Sequence, residues 1–335
     1  MSNIPINPAA TPERTTVESL QAALSNAPIQ HRSLWRDAMR RLLRNRLSLV
    51  GLFMSTFFVL VAIFGPIIAP YPYQAQSYLH TFELPSSVHL LGTDALGRDL
   101  LSRVLWGART AILVGIFVTS ISVLLGVVLG GLAAYLAGAT EWIVGRLIDV
   151  TLSIPSIMLA ILVNAAFKKP FEVAFDNVYH ATGNTFFEGS NSVSYFVTLA
   201  AIAAVLWPAY ARLIRGQILT LRDQEYVTAA KAVGVPTFRT LMRHIVPNAL
   251  GPIIVAATFG FSSAMILEAS LSYLGIGIQP PNASWGAMIN DNLSEMRLRP
   301  WLVIVPAVML GAAALSINYL GDGLADALNP RAKEK

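Results

Sequence analysis

Residues 92–103, just before a long apolar run, carry four charges of both signs: Asp94, Arg98, Asp99 and Arg103. Asp94 and Arg98 stand four apart, as do Asp99 and Arg103, so each pair can join on one face of a helix. Two uses are open. One is a solvated interfacial helix held by surface ion pairs worth under about 1 kcal/mol. The other is a docking surface or gate. A phosphate cradle is excluded, because Gly92 and Gly97 lack the following Lys-Ser/Thr. Asp149 and Glu268 are the carboxylates nearest membrane depth, where charge is costly and often functional. Arg146 lies one turn before Asp149, so a local pair is expected there. Glu268 has no sequence-near cation and is the candidate pathway residue, placed to attract an ammonium group or a metal ion. The five histidines show no metal-ligand spacing. There is no nucleophile elbow, metalloprotease helix or Walker A loop, and with no cysteine, thiol chemistry is excluded. The chain therefore reads as neither an enzyme nor a cofactor or metal binder.

The elements that must position these residues are membrane spans. Of 335 residues, 54% are hydrophobic and 13% charged, with mean hydropathy +0.56; soluble domains carry about 25% charge. Six runs without charge or histidine, 47–70, 110–140, 150–167, 189–211, 245–267 and 300–321, match the length that crosses about 30 Å of hydrocarbon. The third is short and is expected to borrow residues 143–149. None alternates as a barrel strand would, so all six are predicted to be helices. The expected class is an all-α polytopic membrane protein. Gly126 and Gly130 form a G-x-x-x-G pair in the second span, which predicts close packing on another helix.

With the N-terminus in the cytoplasm, 17 of the 24 Lys and Arg fall inside and seven outside. This favours N-in, C-in. Residues 1–32 are polar and proline-containing and are expected to be disordered; they do not resemble a cleaved signal, so 47–70 is expected to stay as a span. Residues 33–46 predict a basic amphipathic helix in the headgroup plane. Residues 167–191 read as an outer loop. Residues 275–285, broken by Gly275, Gly277, Pro280 and Pro281, either shape an outer gate or form a turn that Trp285 anchors at the interface.

Between the fourth and fifth spans lies DQEYVTAAKAVGVPTFRTLMRHIVPNALGP, residues 223–252. Asp223 can cap a helix whose first turn holds Glu225. Gly234 can end that helix in the left-handed conformation, and Pro236 suits the start of a second. Pro247 marks re-entry into the membrane. Such a hairpin either packs on its own bundle or projects an apolar knob into a partner.

Ala229, Ala230 and Gly234, followed by Ile245 and Pro247, resemble the EAA loop of ABC-importer permeases, with Thr228 standing where the motif has Glu. LGTDALGRDLLSRVLWGART (91–110) and LSYLGIGIQPPNASWGAMI (271–289) resemble two further segments of the permeases for dipeptides, oligopeptides and nickel. The likeness runs from about residue 42 to 330 and favours the C-type subunit over its B-type sister. It implies a type I importer permease fold, with residues 110–324 as a core that carries a coupling loop at 222–248. The extracytoplasmic segment would be 71–109 and the cytoplasmic tail 325–335. Glu225, Ala229, Ala230, Gly234, Arg239, Ile245 and Pro247 would couple to the ATPase. The implied partners are a homologous permease, two cytosolic ABC ATPases holding ATP and Mg, and an extracytoplasmic solute-binding protein facing Asp94, Arg98, Asp99 and Arg103. Membrane lipid surrounds the chain, and no nucleic acid is expected. An ion-coupled secondary transporter is the rival class, but no internal repeat supports it.

Overall fold

The computed structural model describes residues 39–136, 138–184 and 190–328. The leader (1–32), the first part (33–38) of the expected amphipathic helix and the last residues of the tail lie outside them. Residues 39–42 are helical, and the chain turns at 43–44. A new helix, α1 (Arg46–Ile68), starts under Asn45, whose Oδ1 accepts from the Leu47 amide at 3.0 Å. The expected unbroken helix over 33–46 is thus interrupted before α1, because an extended N-cap residue ends one helix as it begins the next.

Among the described residues the chain is helical, with a single isolated bridge, Thr93 to Asp99, in place of any strand. Helix α2 (Leu100–Leu136) begins well before the apolar run at 110, because Asp99 caps it. The Asp99 carboxylate accepts from the Ser102 amide at 2.8 Å. Its 37 residues extend about 55 Å. Beyond it, the expected third span is not one straight helix. It is two, α3 (Gly138–Ser153) and α4 (Ser156–Thr182), bent by 103°. Pro155 sits at the break with ψ 128. Proline offers no amide hydrogen and drives its predecessor out of helical geometry. Among the described residues five single helices are long and apolar enough to span, and the count reaches six when this bent pair is taken as one span. Helix α4 also runs on to Thr182, so the segment read as an outer loop is largely helical. Lys168, Glu172, Asp176 and His180 recur every four residues there, a period that could have revealed it.

The remaining elements are α5 (Ser190–Leu221), α6 (Glu225–Ala232), α7 (Thr237–Thr240), a π-turn (Leu241–Ile245), α8 (Val246–Tyr273), α9 (Trp285–Asp291) and α10 (Trp301–Leu328). Helix α2 packs chiefly on α5, and α1 on α10. The expected use of Gly126 and Gly130 is what the structure shows: they seat against Tyr210 and Ala211 of α5. A Cβ on Gly130 would lie 2.4 Å from the Ala211 carbonyl oxygen.

Trp285 is not an interfacial anchor. It is 2% exposed and packs on Phe58, and its indole donates to the Val104 carbonyl at 3.0 Å. A buried indole needs an acceptor for its N–H, and the backbone of α2 supplies one because Gly107 leaves room for the ring.

Candidate functional site

Among the described side chains, the hairpin between α5 and α8 is anchored through one face. Helix α6 starts at Glu225, after Gln224, whose carbonyl accepts from the amides of Val227 and Thr228. Asp223, expected as the cap, instead pairs with Arg222 at 3.6 Å on the surface. Val227 is fully buried and joins Ile214, Ile218, Leu241 and Ile245 in one apolar cluster. The helix ends at Gly234, with φ +81, and the Val235 amide closes back on the Ala230 carbonyl at 3.1 Å. Thr237–Thr240 and the π-turn then lead into α8, where Pro247 occupies the first turn. Single π-turns inside helices recur at functional sites.

The outward face is different. Val233 is 84% exposed, Tyr226 is 41% exposed, and Glu225, Ala229, Arg239 and Pro247 are exposed as well. A Cβ on Gly234 would meet nothing within 4 Å. Ile245, expected to contact a partner, is buried in the chain's own cluster and can act only by holding the hairpin to α8.

At the opposite end of α2, the four charged residues of 92–103 are placed together but not on a helical face. Asp94 and Arg98 meet across a tight turn, Nε to Oδ2 at 2.6 Å, and the other Asp94 oxygen accepts from the amides of Leu96 and Arg98. Asp99 and Arg103 do not form the expected pair. Asp99 caps α2 and takes His89 Nδ1 at 2.9 Å, while Arg103 lies 3.8 Å from Asp94 and donates to the Tyr73 carbonyl at 3.3 Å. All four are buried, so the reading as a solvated surface helix fails. Asp291, 193 residues away, completes the network with Arg98 at 3.2 Å. No local spacing in the sequence points to Asp291, nor to His89.

Glu268, on α8, is 2% exposed. Its Oε1 accepts from Ser272 at 2.6 Å and from Ser284 at 2.9 Å, which ties the helix to the 275–285 segment beneath α9. It therefore faces protein, not an open channel, within this chain. Glutamine at 268 keeps an acceptor oxygen for both hydroxyls. Glu268→Gln is expected to lower stability by no more than about 1 kcal/mol, read from the thermal midpoint of the purified complex. A larger drop would mean that the charge itself is required.

Asp149 does not pair with Arg146. Arg212 of α5 takes it at 2.7 Å, and Arg215 pairs with Glu141 on the same two helices. The 103° bend swings α3 against α5 and brings these partners together.

Two family models match the chain. One, described as binding-protein-dependent transport system inner membrane component, covers residues 122–334. The other, described as the N-terminal TM domain of oligopeptide transport permease C, covers residues 33–85. The dipeptide transport system permease protein DppC of Alkalihalophilus pseudofirmus is 36% identical over 301 residues, spanning 90% of this chain and 91% of that protein. The oligopeptide transport system permease protein OppC of Bacillus subtilis is 36% identical over 302 residues, spanning 90% and 91%. The glutathione transport system permease protein GsiD of Pectobacterium atrosepticum is 35% identical over 305 residues, spanning 90% and 93%.

Proposed function

Because the chain belongs to the family of binding-protein-dependent transport system inner membrane components, we propose that it forms, with a homologous sister subunit, the pathway of an ATP-driven importer for di- and oligopeptides. It is a multi-pass permease of the bacterial inner membrane. The N- and C-termini face the cytoplasm, as the distribution of Lys and Arg favours. Two cytosolic ABC ATPases hold ATP and Mg. A solute-binding protein delivers substrate at the 71–109 segment. The peptide reading follows the relatives' names for dipeptide, oligopeptide and glutathione transport.

The hairpin of 222–248 carries this reading. It is fixed to the bundle through Val227, Leu241 and Ile245, yet it presents Val233, Ala229 and Gly234 to solvent. Small residues that no part of the chain crowds are explained by a backbone approaching from another chain. Helix α8 runs from the hairpin past Glu268 without interruption, 28 residues and about 42 Å in all, so a push on the hairpin reaches the far end of the bundle. Such a push does work only if the ATPase binds the two bundle states with different affinity.

The chain has no cysteine, so one introduced at Ala230 or Gly234 is a unique crosslinking site. Crosslinks in intact membranes are expected to capture an ATP-hydrolysing subunit. Repeated failure at both positions, with the chain inserted and abundant, overturns the coupling role. Uptake that continues in membranes depleted of ATP while an ion gradient persists would favour the secondary-transport class instead.

A further inference from the structure

The bend between α3 and α4 creates a second feature that the transport reading leaves unused. Helix α3 leaves the end of α2 opposite to 71–99, where the hairpin also packs, and so lies at a membrane boundary of the bundle. Val144 and Ile148 bury against Ala133 and Ala211. The other face exposes Trp142 by 66%, Ile143 by 51% and Leu147 by 52%. A cavity of about 420 Å³ opens beside this face, lined by Glu141, Trp142, Gly145, Arg146, Asp149 and Arg215.

The charges in the lining are mixed. Arg215 pairs with Glu141, and Asp149 with Arg212. Each of these pairs engages one oxygen of its carboxylate, Asp149 Oδ1 and Glu141 Oε1. Among the described residues no carboxylate pairs with Arg146, whose guanidinium stacks over the Trp142 ring at 5.9 Å. The Nε–H of Arg215 is buried without an acceptor. The cavity thus offers guanidinium donors for an anion next to carboxylate acceptors for a cation. Trp142 is the large apolar side chain of the lining, and Ile143 and Leu147 are exposed on the same helix outside it.

We propose that this cavity binds a zwitterionic phospholipid head group that carries a phosphate and a primary ammonium. Arg146 and Arg215 take the phosphate, Glu141 and Asp149 take the ammonium, and Ile143 and Leu147 meet the acyl chains. A purely anionic head group brings no cation to the two carboxylates. A quaternary ammonium has no N–H to donate. Guanidinium is suited to phosphate through its planar fork of donors.

The test uses the purified transporter complex, exchanged into nanodiscs of phosphatidylethanolamine, phosphatidylcholine or phosphatidylglycerol, and counts retained lipids by native mass spectrometry. Phosphatidylethanolamine should be retained over the other two. Arg146→Ala should lower its retention roughly tenfold, a change of about 1.4 kcal/mol. Glu141→Gln should erase the preference over phosphatidylcholine while leaving the complex assembled. Equal retention of all three lipids overturns the proposal, as does unchanged retention in Arg146→Ala. Displacement of the lipid by millimolar glycerophosphoethanolamine would assign the site to a soluble head group and overturn the bilayer source.

Discussion

Aspartate in place of Gly234 is expected to abolish uptake while the chain still reaches the membrane at its normal level. The position has φ +81, a region that aspartate and asparagine tolerate better than other side chains. A Cβ there meets nothing within 4 Å, so the chain itself makes room. The buried anchors Val227, Leu241 and Ile245 are untouched and keep the hairpin in place. What changes is the outward surface. A partner seated on it must bury an unpaired carboxylate, which costs several kcal/mol. A loss of about 2.7 kcal/mol already lowers affinity roughly a hundredfold. Co-purification of the ATPase and peptide uptake in vesicles should both fall, with membrane insertion unchanged. Gly234→Asn has the same shape without the charge and should retain part of the uptake. Normal ATPase recovery with Gly234→Asp would remove this surface from the coupling interface.

Loss of the Asp94 carboxylate is expected to be the most destabilising single change at the other end of the bundle. Its two oxygens receive two backbone amides and the Arg98 guanidinium, with Arg103 close by. In Asp94→Ala, Arg98 and Arg103 stay buried at 4% and 1% exposure with their nearest counter-charge gone. Two nitrogens of Arg103 already lack acceptors. Removing one partner of a buried charge pair costs about 3–5 kcal/mol. The thermal midpoint of the purified complex should fall accordingly, and the amount of folded chain should fall with it. Asp94→Asn keeps acceptors for the turn amides and should cost less. A midpoint unmoved by Asp94→Ala would show that the network contributes nothing to stability.

Much of this molecule is readable along the chain because a bilayer imposes local rules. An uncharged run of about 20 residues must pair its own amides, and so becomes a helix wherever it lies. The hairpin was legible for the same kind of reason: Gly234 stops a helix and Pro236 opens the next through their own backbone limits. The packing of Gly126 and Gly130 against a second helix also followed from their spacing, although the identity of α5 as partner did not.

Partnership across the chain was not legible. Arg146 was the near neighbour of Asp149, yet a bend at Pro155 gave that carboxylate to Arg212. Trp285 had the composition of an interfacial anchor, but Gly107 opened a slot for it inside the bundle. Asp291 and Ser284 reached Arg98 and Glu268 only because α9 folds back under α2 and α8. The sequence by itself determined that the uncharged runs are helical and which short piece stands clear of the spans, since these depend on backbone geometry and transfer from water over a few neighbouring residues. Tertiary structure alone decided which charges are neutralised and which surfaces are left open. Electrostatic pairing and close packing act over a few ångströms in space, and distance along the chain places no bound on them.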